Sequence, residues 1–471
     1  MATSVSSQPR AAGIRRSMVE ALRGTRQDFT EGSISHAVLL LATPMVLEMF
    51  MESLFAIVDV FWVTRLGADA VATVGLTESI LALVFSVAMG VSMSTTAMVA
   101  RRTGEKDPRG AATAAVQAIA LGVALAVAMG IPGWLLARQL LTWMGASPAL
   151  AATGYRYTAI VLGGNLSVML LFLANAIFRG AGDAAIAMRV LWLSNLINLA
   201  LDPCLIFGLG PFPAMGVTGA AVSTLTGRTC GVLYQLWILF GGRSRIVVRR
   251  GDLKIVPRVI ASLVRVSATG VLQFGIAHTS WVALVRIISS FGSGAVAGYT
   301  VGIRIFVFAI MPAWGLSGAA ATMVGQNLGA RKPERAERAV YLTSLYNLVF
   351  LGAVAVVFIA VPGRLVVLFT TDPAVAPFAV DCLRIVAYGN LAYAVGMVMV
   401  QAFNGAGDTV TPTVINALGF WLCEIPLAWA LAYPAGMGVR GVFAAIPISE
   451  LLITLMSLGM FVRGGWKRRT I

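Results

Sequence analysis

The chain has 471 residues, of which 58% are hydrophobic and only 12% charged, with a mean hydropathy of +0.85. So little polar surface excludes a water-soluble globule. The formal net charge is +15, and its meaning depends on where the charges fall.

Residues 1–34 are polar and basic (Arg10, Arg15, Arg16, Arg23, Arg26) with no apolar core, which reads as a basic cytoplasmic arm and not a cleavable signal peptide. Apolar runs of the roughly 20 residues needed to span a bilayer then follow at 37–63, 70–98, 111–137, 150–177, 184–208 and 215–240. An Arg-rich linker at 241–258 separates them from further runs at 259–290, 295–324, 339–362, 376–403, 409–432 and 439–462. The expected fold is all-α, a polytopic membrane protein with twelve transmembrane helices. Its divisions are an N-lobe at 35–240, a C-lobe at 259–463 and a cytoplasmic tail at 464–471.

The second lobe rewrites the first. Phe178–Asp183 reads FRGAGD and Phe403–Asp408 reads FNGAGD, 225 residues later. Gly67, Ala70, Val71 and Ala72 recur as Gly292, Ala295, Val296 and Ala297, and Asn165-Leu166 as Asn390-Leu391. Six spans per half put both halves in the membrane the same way round, as parallel repeats about an axis along the membrane normal. Duplicated halves around a central site mark a transporter. With the N-terminus cytoplasmic, 24 of the 35 Lys and Arg residues fall in cytoplasmic segments and four outside, which is the positive-inside bias. The net charge is thus topological: it needs no nucleic acid, and anionic headgroups are a sufficient partner.

A charge at mid-membrane costs about 2.5–3.5 kcal/mol on insertion scales, so each one needs a reason. Seven acids lie within spans: Glu48, Glu52, Asp59, Glu78, Asp202, Glu424 and Glu450. Glu48, Glu52 and Asp59 are four and seven residues apart, on one face of the first span. That face must meet a water-filled cavity or a polar neighbour. In the fifth span Asn198 and Asp202 are helix-face neighbours, with Asn195 adjoining and Pro203 predicting a kink. Convergence of Asp59 and Asp202, with Asn198 and the Thr224 hydroxyl, would offer hard oxygen ligands to a proton or a small cation such as Na⁺. Gln273 and Glu424 join Glu48, Glu52 and Asn195 as candidates for the substrate cavity or for gating. Arg228 maps onto Glu450 at offset 222, and Glu78 is matched in depth by Arg304, as ion pairs of transport or of static packing. The methionines, 20 in all, suit either a pocket for varied apolar shapes or ordinary filling. Cys204, Cys230, Cys382 and Cys423 read as small apolar residues in spans, and His36 and His278 as isolated helix residues.

Over about residues 35–463 the chain resembles the multidrug and toxic compound extrusion (MATE) family. The resemblance is carried by Pro44, by Ala56-Ile57-Val58-Asp59 with Arg65-Leu66-Gly67, and by both F-x-G-A-G-D turns. Asn198-xxx-Asp202-Pro203, Phe207–Gly210 and Gly216–Ala221 carry it further. Likeness to the DinF-like branch implies cation coupling at Asp59, Asn198, Asp202 and Thr224, with Pro44 as the bending proline of the first span. The second lobe departs from this pattern: Asp59 maps to Leu284 and Asn198 to Phe420, leaving Glu424 as the counterpart of Asp202.

The expected function is a secondary multidrug efflux transporter, monomeric, in the bacterial inner membrane with both termini cytoplasmic. It would export amphipathic, often cationic, small molecules by antiport with H⁺ or Na⁺ and use no cofactor. The alternative is a flippase for lipid-linked oligosaccharides or lipids, which would want a cationic cavity for phosphate. No nucleophile–base set, metal cluster or P-loop supports an enzyme.

Overall fold

A computed structural model describes residues 10–25 and 27–471. The N-lobe runs through α1 (Arg10–Arg23), α2 (Ile34–Thr64), α3 (Ala68–Gly104), α4 (Pro108–Leu135), α5 (Ala137–Trp143), α6 (Pro148–Gly163), α7 (Asn165–Ala181), α8 (Ala184–Phe207) and α9 (Val217–Phe240). The C-lobe runs through α10 (Pro257–Ser289), α11 (Ser293–Gly329), α12 (Pro333–Ala360), α13 (Pro362–Val367), α14 (Ala376–Ala387), α15 (Asn390–Gly405), α16 (Val410–Asn416), α17 (Ile425–Ala432) and α18 (Val439–Val462). A π-helical stretch, Ala417–Glu424, joins α16 to α17. Twelve spans result: α6 and α7 form the fourth, α14 and α15 the tenth, and α16 to α17 the eleventh. Among the described residues, nine spans are long and apolar enough to cross a membrane by length and composition, and the bent α14–α15 pair makes ten. The remaining two, α2 and α9, have 31 and 24 residues, enough at 1.5 Å per residue for a core of about 30 Å.

Local chemistry sets the helix starts. Asp107 accepts the Gly110 N–H at 2.8 Å and Ser147 accepts the Leu150 N–H at 3.2 Å, each followed by a proline at the first helical position. The duplication is as plain in the backbone as in the sequence. Lys106 and Arg331, 225 apart, both sit at φ 58°, a left-handed conformation unusual for either residue. The short α5 and α13, and the breaks near Gly164 and Gly389, also recur at that offset. The sequence reading placed none of these four features, since an apolar run does not reveal where it bends; the tenth span turns through 60°. Conversely, Pro44 and Pro203 interrupt neither α2 nor α8, which stay continuous through them.

The end of α1, the C-terminal tail and the 241–256 linker share one end of the bundle, and there the lobes are fastened together. Gly315 packs on the Met45 backbone, Gly90 on Ser267 and Val271, and Gly104 on Gln326, each without room for a β-carbon. Among the described residues, every side-chain hydrogen bond between lobes lies between Ser53–Phe308 (3.2 Å) and this end. They include Ser94–Ser267 at 2.7 Å and Gln326 to the Gly180 carbonyl at 2.9 Å. At the far end the buried clusters separate by lobe: Val63, Val74, Tyr157 and Ile206 in one, Leu284, Tyr299 and Phe443 in the other. The space between the lobes is therefore closed at the termini end and open at the far end.

The basic arm is more than a solvated extension. Phe29 and Ala21 are buried with Val38 and Leu41 of α2, and the carbonyls of residues 29, 31 and 32 accept hydrogen bonds from Arg335 of the other lobe. The linker is docked too: Gln117 donates to the Lys254 carbonyl at 2.9 Å and accepts the Val256 N–H at 3.0 Å.

Candidate functional site

Two polar assemblies occupy the N-lobe, one inside it and one on the wall of the central space. The first forms where α8 and α9 approach closely. Gly227 faces the Ser194 carbonyl and Asn198 with no room for a β-carbon, which brings the α9 hydroxyls up to α8. Asn198 spends both amide hydrogens on hydroxyls, donating to Ser223 Oγ at 3.0 Å and Thr224 Oγ1 at 2.9 Å. Ser223 in turn donates to Asp202 Oδ1 at 2.6 Å. This chain of donors leaves Asn198 Oδ1 and Asp202 Oδ2 buried without a hydrogen-bond partner among the described residues. Buried polar atoms normally find partners, so two unpartnered oxygens in one hydrogen-bonded cluster are suited to a proton or a hard cation. Asp59 completes the group from α2, within electrostatic reach of Asp202, of Glu78 on α3 and of Arg228 on α9. Asn198, Thr224 and Asp202 are thus joined through hydrogen bonds, with Ser223 between them, while Asp59 acts on Asp202 only through space. Ser223, the residue that bridges Asn198 and Asp202, went unread, because its neighbour Thr224 carried the expected hydroxyl. Among the described residues no three His, Cys, Asp or Glu side chains converge as they would on a transition metal.

The second assembly begins at Glu48, only 1% exposed. Asn175 donates to its Oε1 at 3.3 Å, Gln235 holds Asn175 from behind at 2.6 Å, and Arg179 stands 3.6 Å from the same oxygen. One turn on, Asn195 donates to Glu52 at 3.2 Å. Glu48, Glu52, Asn195 and Gln273 all line a cavity of about 400 Å³ between the lobes. Six methionines (Met45, Met49, Met89, Met93, Met311, Met397) and the rings of Phe172, Phe274, Trp314, Tyr393 and Phe420 line it as well. The methionines of these spans thus include a pocket-lining set as well as fillers. Such a surface accepts varied apolar shapes, and the carboxyl groups of Glu48, Glu52 and Glu450 share its wall with Arg179 and Arg228.

Glu424 lies elsewhere. It is buried within the C-lobe, where Ser280 donates to it at 2.8 Å, and it does not line the cavity. Arg228 and Glu450 both face the cavity without forming an ion pair, and Glu78 and Arg304 act on each other only through space. Pro44 is buried in α2, one residue before the Met45 backbone that Gly315 touches.

A polytopic helical protein of two repeated lobes, with a cavity between them, has the architecture of a membrane transporter. Residues 44–204 and 274–430 match the MatE family model, and the chain belongs to this family of transporters. It is therefore not an enzyme. The chain is 25% identical over 441 residues to the probable multidrug resistance protein NorM of Thermotoga maritima, covering 93% of this chain and 94% of that one. It is 26% identical over 432 residues to the FAD transporter of Shewanella oneidensis, covering 91% and 94%. A solved multidrug resistance MATE transporter of the MOP superfamily in an outward-facing conformation superposes with a TM-score of 0.88. It is 25% identical, with 96% of this chain and 99% of that chain covered.

Proposed function

We propose that the protein is an ion-coupled multidrug exporter of the bacterial inner membrane, taking amphipathic, often cationic, compounds outward in exchange for H⁺ or Na⁺. The positive-inside bias supports a cytoplasmic location for both termini, so that the open far end faces outward. The coupling reading rests on one observation: among the described residues, Asn198 Oδ1 and Asp202 Oδ2 are buried without a hydrogen-bond partner, with Asp59 acting on Asp202 through space. A cation entering from outside would satisfy these oxygens and relieve the repulsion between the carboxylates. The methionine-rich cavity, with Glu52 among its carboxyl groups, supports organic cations as cargo, and the multidrug resistance names of similar proteins agree. Residues 35–240 and 259–463 would rock as two lobes around it.

The second reading, a carrier of phosphate-bearing molecules such as lipid-linked sugars, draws on Arg228 in the cavity and on the flavin-carrying relative. Three acids against two arginines, one of them already beside Glu48, weigh against it. The deciding experiment is efflux of a cationic dye from proteoliposomes with Na⁺ and pH gradients imposed separately. Gradient-driven efflux that Asp59→Asn and Asp202→Asn abolish supports the proposal. Efflux that both variants retain refutes the coupling site, and no efflux from folded protein refutes the cargo.

A further inference from the structure

Arg228 stands between the two assemblies. On α9 it is one turn beyond Thr224, so it shares a face with the cation cluster. Its guanidinium acts electrostatically on Asp59. Its side chain also lines the central cavity, as does that of Glu450, the residue at the matching place in the other lobe. Yet it makes no ion pair or hydrogen bond with any described residue; its one packing partner of note is the Phe85 ring, 5.9 Å away. A full charge in a span that is left without a fixed partner, acting on Asp59 through space and sharing a cavity with Glu52 and Glu450, is free to divide its time between them.

We propose that Arg228 is the coupling residue, an internal cation drawn electrostatically toward Asp59 while that carboxylate is bare. When an incoming cation neutralises Asp59, the guanidinium is released toward Glu52 and Glu450 in the cavity. There it takes up the charges that a cationic substrate would use and repels that substrate outward. The inference rests on the cation cluster proposed above and adds the part that carries its signal. The sign is that of an exchanger: ion entry lowers the affinity for organic cation. By linkage, the substrate lowers the affinity for the ion by the same factor.

The test is equilibrium binding of tetraphenylphosphonium to the purified full-length protein in detergent, in a double-mutant cycle of Asp59→Asn and Arg228→Gln. Asp59→Asn alone is expected to weaken binding about fivefold or more, in the range of ordinary site-to-site coupling. Arg228→Gln alone is expected to tighten it, and in that background Asp59→Asn should have little further effect. Arg228→Lys, which keeps the charge, should preserve the response to Asp59→Asn. Additive effects of the two substitutions, or no effect of Asp59→Asn while Arg228 is present, would overturn the inference. Gradient-driven efflux tests the ion coupling separately, so loss of coupling in Asp59→Asn with an additive cycle rejects the role of Arg228 alone.

Discussion

Arg469 reaches Asp408 at 3.1 Å, and its backbone carbonyl accepts a hydrogen bond from Arg101 of the other lobe. The repeat contains the same tie once more: Arg245 lies 3.2 Å from Asp183 and donates its backbone N–H to that carboxylate at 2.7 Å. The two GAGD aspartates therefore each anchor the chain that leaves the sixth span of their lobe. The second tie reaches across to the opposite lobe through Arg101. Asp408→Asn should loosen the termini end. Spin labels at the exposed Arg109 and Glu334, in a cysteine-replaced background, should report a longer or broader distance distribution than in the parent protein. An unchanged distribution would show that the tie does not hold the lobes.

Ser223→Ala removes the group that joins Asn198 to Asp202. A buried hydrogen bond lost on both sides costs about 1–3 kcal/mol. We expect a tenfold or greater rise in the cation concentration that half-saturates transport, with the protein still monodisperse. Transport measured across a series of Na⁺ concentrations and pH values would reveal it, and an unchanged half-saturation point would remove Ser223 from the cluster.

The fastened end depends on missing side chains. Gly104→Val would drive a branched side chain into the Gln326 backbone, where even a methyl group has no space. This variant should favour the state opened at the termini end and raise labelling of a cysteine placed at Ser94 by a reagent supplied from that side. Wild-type labelling in the variant would mean that the lobes relax around the added bulk.

Glu424 supplies a contrast. Because Ser280 holds it inside the C-lobe and it does not line the cavity, Glu424→Gln should change the apparent KM for dye by less than about twofold, since amide and carboxyl share a shape and both accept from a hydroxyl. A loss of transport comparable to Asp202→Asn would assign Glu424 a direct part after all.

Much of the architecture was legible because a duplication repeats its signals. The offset of 225 fixed the repeat, and the spacing of apolar runs gave all twelve spans to within a few residues. The acids of α2 were readable for the same reason that they are costly: a lipid-facing Glu48 or Glu52 would not be tolerated, so both had to face inward. What escaped was short-range or three-dimensional. The breaks near Gly164 and Gly389 leave no gap in hydropathy. Asn175, Gln235 and Arg179 gather around Glu48 from two other helices, and no spacing along the chain joins them to it. Glu424 was ambiguous because its alignment with Asp202 requires a three-residue shift. The π-helical stretch that precedes it alters which way side chains point.

The loss of the second oxygen cluster, with Leu284 and Phe420 where Asp59 and Asn198 would recur, bears on the energetics of a whole cycle. If one cluster carries one cation per turnover, a neutral cargo is driven by one charge moving through the membrane potential, about 2.3 kcal/mol per 100 mV. That sustains roughly fiftyfold accumulation against a gradient, at about 1.4 kcal/mol per tenfold. A monovalent organic cation exchanged one for one moves no net charge, so the voltage does nothing and the ion's concentration ratio alone sets the ceiling. The charge of the cargo would then determine how far this transporter can empty a cell of it.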